Sequence, residues 1–102
     1  MFAAGACPLD EAGEVVAPGD YEEQARVAVS NLEAALEEAG SGLDRVLKST
    51  VYVSSADRAQ LVRVWSVIED GFATARPPST LLGVAALGYE GQLVEIEAVA
   101  LV

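Results

Sequence analysis

Two stretches near the end of the chain decide its fold: RPPSTLLGVAAL, residues 76–87, and LVEIEAVALV, residues 93–102. Both have the composition of strands, and residues 88–92 are predicted to join them as a hairpin. Successive side chains of a strand point to opposite faces. One face of the second strand is therefore wholly apolar, while Glu95 and Glu97 lie on the other face among Leu and Val. Carboxylates on such a mixed face indicate where function is to be sought.

The composition predicts one folded domain that spans residues 1–102. Hydrophobic residues make up 52% of the chain and charged residues 22%, which is typical of a globular protein. A domain of this length has a small interior. We therefore expect part of the apolar surface to lie at a subunit interface.

The charge balance excludes some classes of partner. Six basic residues against 16 acidic ones give a net charge of −10. A field of this sign repels phosphate backbones and anionic lipid surfaces, so we expect neither nucleic-acid nor membrane binding.

The chain contains one cysteine, Cys7, and no histidine. An internal disulfide is impossible, and so is a Ser-His or Cys-His catalytic pair. No metal site is expected, because zinc sites depend on His and Cys ligands. Cys7 is interpreted as a small buried hydrophobe. No stretch resembles a signal peptide or a membrane span, which predicts a soluble, cytoplasmic protein.

The remaining elements follow from periodicity and capping residues. A short strand and loop occupy residues 1–10, and a first helix is predicted from the N-cap Asp20 to about residue 39. A strand over residues 43–53 and a second helix from about Asp57 to residue 74 come next. This order predicts an α+β sandwich, a mixed β-sheet with two helices on one face. The other face needs a cover, and a second copy of the chain is the candidate.

Several segments, in order and at suitable separations, resemble the RidA (YjgF-like) family of reactive-intermediate deaminases over nearly the whole chain. They are Gly5 ahead of Pro8, the helix carrying Gln24, Asn31, Leu32, Leu36 and Gly40, the strand segment KSTVYV of residues 48–53, and VEIEAVA of residues 94–100. The resemblance implies a chorismate-mutase-like fold and a barrel-cored homotrimer with small-metabolite clefts between subunits. It also implies hydrolysis of enamines and imines without a cofactor.

In that family an arginine binds the substrate carboxylate and a glutamate positions water. The resemblance assigns the glutamate to Glu95. Counting back from residues 83–87 assigns the arginine position to Ser79, so the chain resembles a divergent subgroup that lacks this arginine. Arg76 lies three residues upstream, and the serine that precedes Gly5 in the family is replaced by Ala4. By the resemblance, Gly5, Ala4 and Arg76 are candidate ligand-binding residues of the cleft. The family's usual N-terminal strand, with its tyrosine, is expected to be either missing or truncated before Met1.

Alternatives remain open at several of these positions. Ser79 and Thr80 either bind a ligand or satisfy backbone groups after two prolines. Lys48 and Glu97 are candidates for a structural salt bridge. At the level of function, the chain is either an imine or enamine deaminase or a non-catalytic small-ligand-binding trimer of the same fold.

Overall fold

The computed structural model describes residues 1–102 and contains four strands and two α-helices. The strands are β1 (Phe2–Ala6), β2 (Val46–Val53), β3 (Ser79–Gly83) and β4 (Val94–Ala100), and the helices are α1 (Tyr21–Glu38) and α2 (Arg58–Phe72). The segment Leu43–Arg45, predicted to begin the second strand, is a 3₁₀ turn. Residues 15–17 contribute only an isolated bridge, between Leu9 and Val15.

Both helices begin where the sequence places an acidic N-cap. The side chain of Asp20 accepts a hydrogen bond from the backbone N–H of Glu23, and that of Asp57 accepts one from Ala59. These bonds satisfy backbone donors that have no partner within the helix.

The four strands form one mixed sheet in the order β1-β4-β2-β3. Strand β2 is parallel to β3 and antiparallel to β4, and β1 is antiparallel to β4. The predicted hairpin between the last two strands is wrong, because β2 lies between them. The unit β2-α2-β3 is a crossover that makes its two strands parallel neighbours. Residues 84–93 then pass the end of β2, where Val84 N–H donates to Val53 O and Ser54 N–H donates to Leu93 O.

Both helices pack on one face of the sheet, as predicted. The core contains Leu32 and Leu36 from α1, Ile68 from α2, and Val51 and Ile96 from the sheet, all at most 1% exposed. Leu93, expected on the uncovered face, precedes β4 and packs against this core. The α+β prediction is confirmed. No helix is both long and apolar enough to cross a membrane.

Candidate functional site

The face of the sheet away from the helices carries the polar side chains of interest. In β4, Val94, Ile96, Ala98 and Ala100 are buried beneath the helices, and Glu95 and Glu97 alternate with them on the open face. The cross-strand neighbours of Glu95 and Glu97 are Tyr52 and Thr50 of β2. Each glutamate is half-buried. Strand alternation therefore brings two carboxylates and a phenol to one surface.

The carboxylate of Glu95 is held through one oxygen. Its Oε1 accepts a hydrogen bond from Gln92 Nε2 at 3.1 Å and one from Cys7 Sγ at 3.3 Å. Gln92 is 3% exposed, and its Nε2 also donates to Val94 O at 3.1 Å. Both hydrogen-bond partners of the Glu95 carboxylate are thus neutral. Gln92 lies just before β4, and Cys7 lies just after β1.

Gly5 lies directly beneath the Glu95 side chain. A Cβ at Gly5 would be 2.2 Å from Glu95 Oε2 and 2.4 Å from its Cδ, distances that real Cβ atoms do not show. The absence of a side chain at Gly5 therefore makes the seat for Glu95. Gly5 and Glu95, both predicted site residues, are therefore in contact within one chain.

The thiol of Cys7 remains protonated at neutral pH. Burial, followed by the hydrogen bond to Glu95 and the charge of Glu95, raises the pKa of Cys7 from 9.0 to about 11. A thiol in this state donates a hydrogen bond and is a poor nucleophile. Cys7 is half-buried and polar in its contacts, which corrects its interpretation as a buried hydrophobe, while its raised pKa agrees with the expectation that it is not a nucleophile.

Glu97 has a different partner from the one predicted. Tyr52 Oη donates to Glu97 Oε1 at 2.6 Å, and this hydrogen bond raises the pKa of Tyr52. Lys48 makes no ion pair with Glu97; the two ion pairs are Arg26–Glu23 and Arg76–Glu69. The predicted Lys48–Glu97 salt bridge is wrong within the chain, since the regular register pairs Thr50 with Glu97 and Lys48 with Val99, which leaves Lys48 diagonal to Glu97.

A concavity of about 300 Å³ lies beside Glu97 on the same face. Its lining includes Ala4, Phe2, Lys48, Thr50 and Glu97. Lys48 is the one cation in this lining. Ala4, a predicted ligand-binding residue, thus borders the open face next to the second glutamate.

Ser79 and Thr80 face opposite sides of the sheet. Ser79 Oγ shares a hydrogen bond with Ser49 Oγ and donates to Pro77 O at 3.1 Å. Ser49 is 3% exposed and lies beneath the helices. The Ser79 side chain, which is bonded to it, therefore lies on the helix side of the sheet. Thr80 pairs in register with Thr50, on the side that carries Glu97. Thr80 therefore shares a face with Glu95, and Ser79 does not.

Arg76 lies beside α2, where its Nη1 donates to Glu69 Oε2 at 2.8 Å. Arg76 and Ser79 line a concavity of about 220 Å³ with Trp65 and Phe72. Within one protomer, the predicted ligand-binding residues therefore form two groups. Glu95, Gly5, Ala4 and Thr80 lie on the open face, and Ser79 and Arg76 lie on the helix side.

Sequence reasoning missed the roles of Gln92 and Tyr52. Gln92 was interpreted as an ordinary turn residue, although a glutamine three residues before a strand glutamate is within reach of that carboxylate. Tyr52 was visible as a strand residue, but its pairing with Glu97 depends on a register that the sequence pattern does not reveal. No group of three or more His, Cys, Asp or Glu side chains is placed to hold a metal ion.

Comparison with known proteins identifies the family. The Endoribonuclease L-PSP family model matches residues 1–102. The RutC family protein PYRAB12510 of Pyrococcus abyssi is 37% identical over 101 residues, which cover 98% of this chain and 76% of that protein. TdcF of Escherichia coli K12, whose name assigns it provisionally to the reactive intermediate deaminases, is 30% identical over 98% of this chain and 77% of its own length.

A solved structure gives the same answer. YyfB of Yersinia pestis, described as a protein of unknown function in the conserved Rid protein family, superimposes with a TM-score of 0.92. It is 29% identical, and the match covers 100% of this chain and 77% of that one. The chain belongs to the Endoribonuclease L-PSP family, whose members here carry RutC and Rid names. The predicted membership in the RidA (YjgF-like) family is confirmed.

Proposed function

We propose that the protein binds small metabolites in clefts between the subunits of a homotrimer and hydrolyses an imine or enamine there, with Glu95 as the residue that activates water. The observation that supports this most directly is the seating of the Glu95 carboxylate on Gly5, with two neutral donors on one oxygen. A carboxylate held in this way is ready to orient water.

The proposed reaction is the hydrolysis of a C=N bond to a carbonyl compound and ammonia. An enamine first tautomerises to the imine, as a proton moves from nitrogen to carbon. A water molecule adds through its oxygen to the carbon of the C=N bond, and Glu95 transfers the proton that the water loses to the nitrogen, which gives a carbinolamine. Glu95 then transfers the hydroxyl proton to the amino nitrogen, the C–N bond breaks as the C=O bond forms, and ammonia leaves with Glu95 again ionised and no cofactor consumed.

The arrangement of candidate residues supports a cleft between subunits. Ser79 and Glu95 lie on opposite faces of one sheet and on strands separated by β2. A small ligand that touches both must therefore contact two protomers. The open face also carries Phe2, 85% exposed, and Leu82, 43% exposed, which a neighbouring copy would cover.

The test is ammonia release from 2-imino acids generated in situ, with Glu95→Gln as the variant and Glu97→Gln as its matched control. Loss of the Glu95 carboxylate is expected to lower the rate by on the order of 10²-fold or more. Loss of Glu97 should change it only a few-fold. Light scattering must give a trimer for all three proteins. An absence of activity in the unmodified protein across several imines would contradict the deaminase proposal.

A second candidate function is ligand binding without catalysis. It is favoured by Ser79 at the position where the resemblance places an arginine, and by the ion pair that already engages Arg76. The net charge of −10 also disfavours carboxylate ligands. This candidate predicts that neutral or cationic small molecules raise the melting temperature more than 2-oxo acids do. Under the catalytic proposal, Ser79→Arg is expected to raise activity toward carboxylate substrates.

Residence in the cytoplasm is part of the same proposal. Cys7 is a free thiol, which suits a reducing compartment.

A further inference from the structure

We infer that Gln92 is a positioning residue for Glu95, and that its side-chain amide determines which carboxylate oxygen is presented to a ligand. The inference rests on the proposed function, because it concerns the residue given the role of activating water. The contact between Gln92 and Glu95 does not depend on that function, since it consists of a hydrogen bond within the chain.

The Gln92 side chain cannot turn without losing hydrogen bonds. Its Nε2 donates to Val94 O and to Glu95 Oε1, each at 3.1 Å, and its Oε1 accepts the Tyr89 N–H at 3.1 Å. An amide has two N–H donors and one oxygen, so every group of this one is engaged. At 3% exposure, water cannot readily replace a lost partner. Gln92 is therefore a rigid donor.

The two oxygens of Glu95 are left unequal. Oε1 accepts hydrogen bonds from both Gln92 Nε2 and Cys7 Sγ. These two bonds use both lone pairs of that carboxylate oxygen. Oε2 lies over Gly5, and no side chain or backbone N–H of the chain donates to it. The free oxygen is the one able to accept a hydrogen bond from water or from a protonated ligand nitrogen.

A second buried glutamine makes a control possible. Gln24 holds the same turn from the helix side: its Nε2 donates to Gly91 O at 2.9 Å, and its Oε1 accepts the Leu93 N–H at 2.8 Å. Gln24 is 0% exposed and has no bond to Glu95. The two glutamines therefore share the task of holding the turn, and only Gln92 touches the carboxylate.

The experiment compares Gln92→Met with Gln24→Met, each of which keeps the side-chain length and removes the amide. The first readout is the S–H stretching band of Cys7 in the infrared, which is unambiguous because the chain has one cysteine. Gln92→Met should shift this band, because Glu95 reorients against the thiol. Gln24→Met removes bonds to the same turn but none to Glu95, so it should shift the band by less.

The second readout is imine hydrolysis. Gln92→Met is expected to lower kcat by roughly 10- to 100-fold with KM within about threefold, since a displaced catalytic group costs rate more than binding. Gln24→Met loosens the same turn but removes no bond to Glu95, so it should lower kcat by less than Gln92→Met does. If both variants shift the thiol band and kcat alike, Gln92 merely stabilises the turn and the inference is overturned. If the unmodified protein lacks activity, the proposed function fails. Because Gln92 also acts on the Cys7 thiol directly, the thiol band is then read together with the amide resonances of Gln92.

A third measurement does not depend on either variant folding. In Glu95→Gln, a change at a half-exposed position, the side-chain amide resonances of Gln92 should move by NMR and those of Gln24 should not. Unmoved Gln92 resonances would contradict the inference.

Discussion

Glu95 and Glu97 lie two residues apart on one face of one strand, yet their surroundings differ in kind. Glu95 is seated on Gly5 and held by a buried amide and a thiol. Glu97 accepts a hydrogen bond from the Tyr52 hydroxyl of the adjacent strand, and it borders a concavity that is also lined by Lys48. Position along β4 thus brings both carboxylates to the open face of the sheet. The hydrogen-bond partners of each carboxylate then determine whether it is held in one orientation.

The largest effect should come from removing the seat of Glu95. In Gly5→Ala the new methyl group cannot coexist with the Glu95 side chain, whose nearest atom lies 2.2 Å from the added Cβ. Glu95 is the flexible partner and must move away. Because a displacement of about 1 Å can cost on the order of 10²-fold in rate, we expect imine hydrolysis to fall by about that factor.

Stability should change much less in Gly5→Ala. The hydrogen bonds lost at Glu95 are worth about 1 kcal/mol each, and urea unfolding measures the difference. Gly88→Ala is the matched control, since an added Cβ there meets nothing within 4 Å. Equal activity in the two alanine variants would show that Glu95 needs no fixed seat.

An intermediate effect is expected in the reactivity of Cys7. Burial is the largest cause of its pKa of about 11, and Glu95 contributes the next two causes. Glu95→Gln should lower the pKa of Cys7 while leaving it above 9.0, because the burial remains. Since each unit of pKa changes the thiolate fraction tenfold, alkylation by iodoacetamide near pH 8 should speed up by roughly three- to tenfold.

Glu97→Gln provides the comparison for Cys7, because Glu97 is not among the causes of its raised pKa. Alkylation should proceed at the unmodified rate in that variant. A faster rate in Glu97→Gln than in Glu95→Gln would mean that the two carboxylates have been assigned to the wrong neighbours.

Much of the fold could be predicted from the sequence because local signals agree with it. Asp20 and Asp57 mark the helix starts by capping chemistry, and the alternation in residues 94–100 predicts both the strand and its buried face. The predicted hairpin failed because turn residues such as Gly88 and Gly91 show where the chain bends, and not which strand becomes the neighbour. That choice depends on the crossover through α2, a tertiary feature.

The site was predictable only in part, for a similar reason. Glu95 and Gly5 were chosen as site residues through the family resemblance, and their roles remain predictions; the contact between them could not be read from the sequence. Gln92 and Cys7 lie 85 residues apart in the chain and meet only because β1 pairs with β4. The residue pattern within one segment contains no information on a contact between segments so far apart in the chain.

The smallest effect concerns the titration of Tyr52. The hydrogen bond from Tyr52 to Glu97 is the first cause of its raised pKa, and the charge of Glu95 is the last. Glu97→Gln should therefore lower the pKa of Tyr52 more than Glu95→Gln does, as measured by tyrosinate absorbance with Tyr52→Phe to identify its contribution among the three tyrosines. The sign for stability follows from proton binding: above the ordinary value of 10.0 the folded chain retains a proton that the unfolded chain has lost. Stability from this bond is thus complete below that value and declines as the pH rises through the folded pKa. The decline should become smaller in Glu97→Gln, where burial and the charge of Glu95 still raise the pKa of Tyr52. A larger shift of Tyr52 in Glu95→Gln would contradict the division between the two carboxylates.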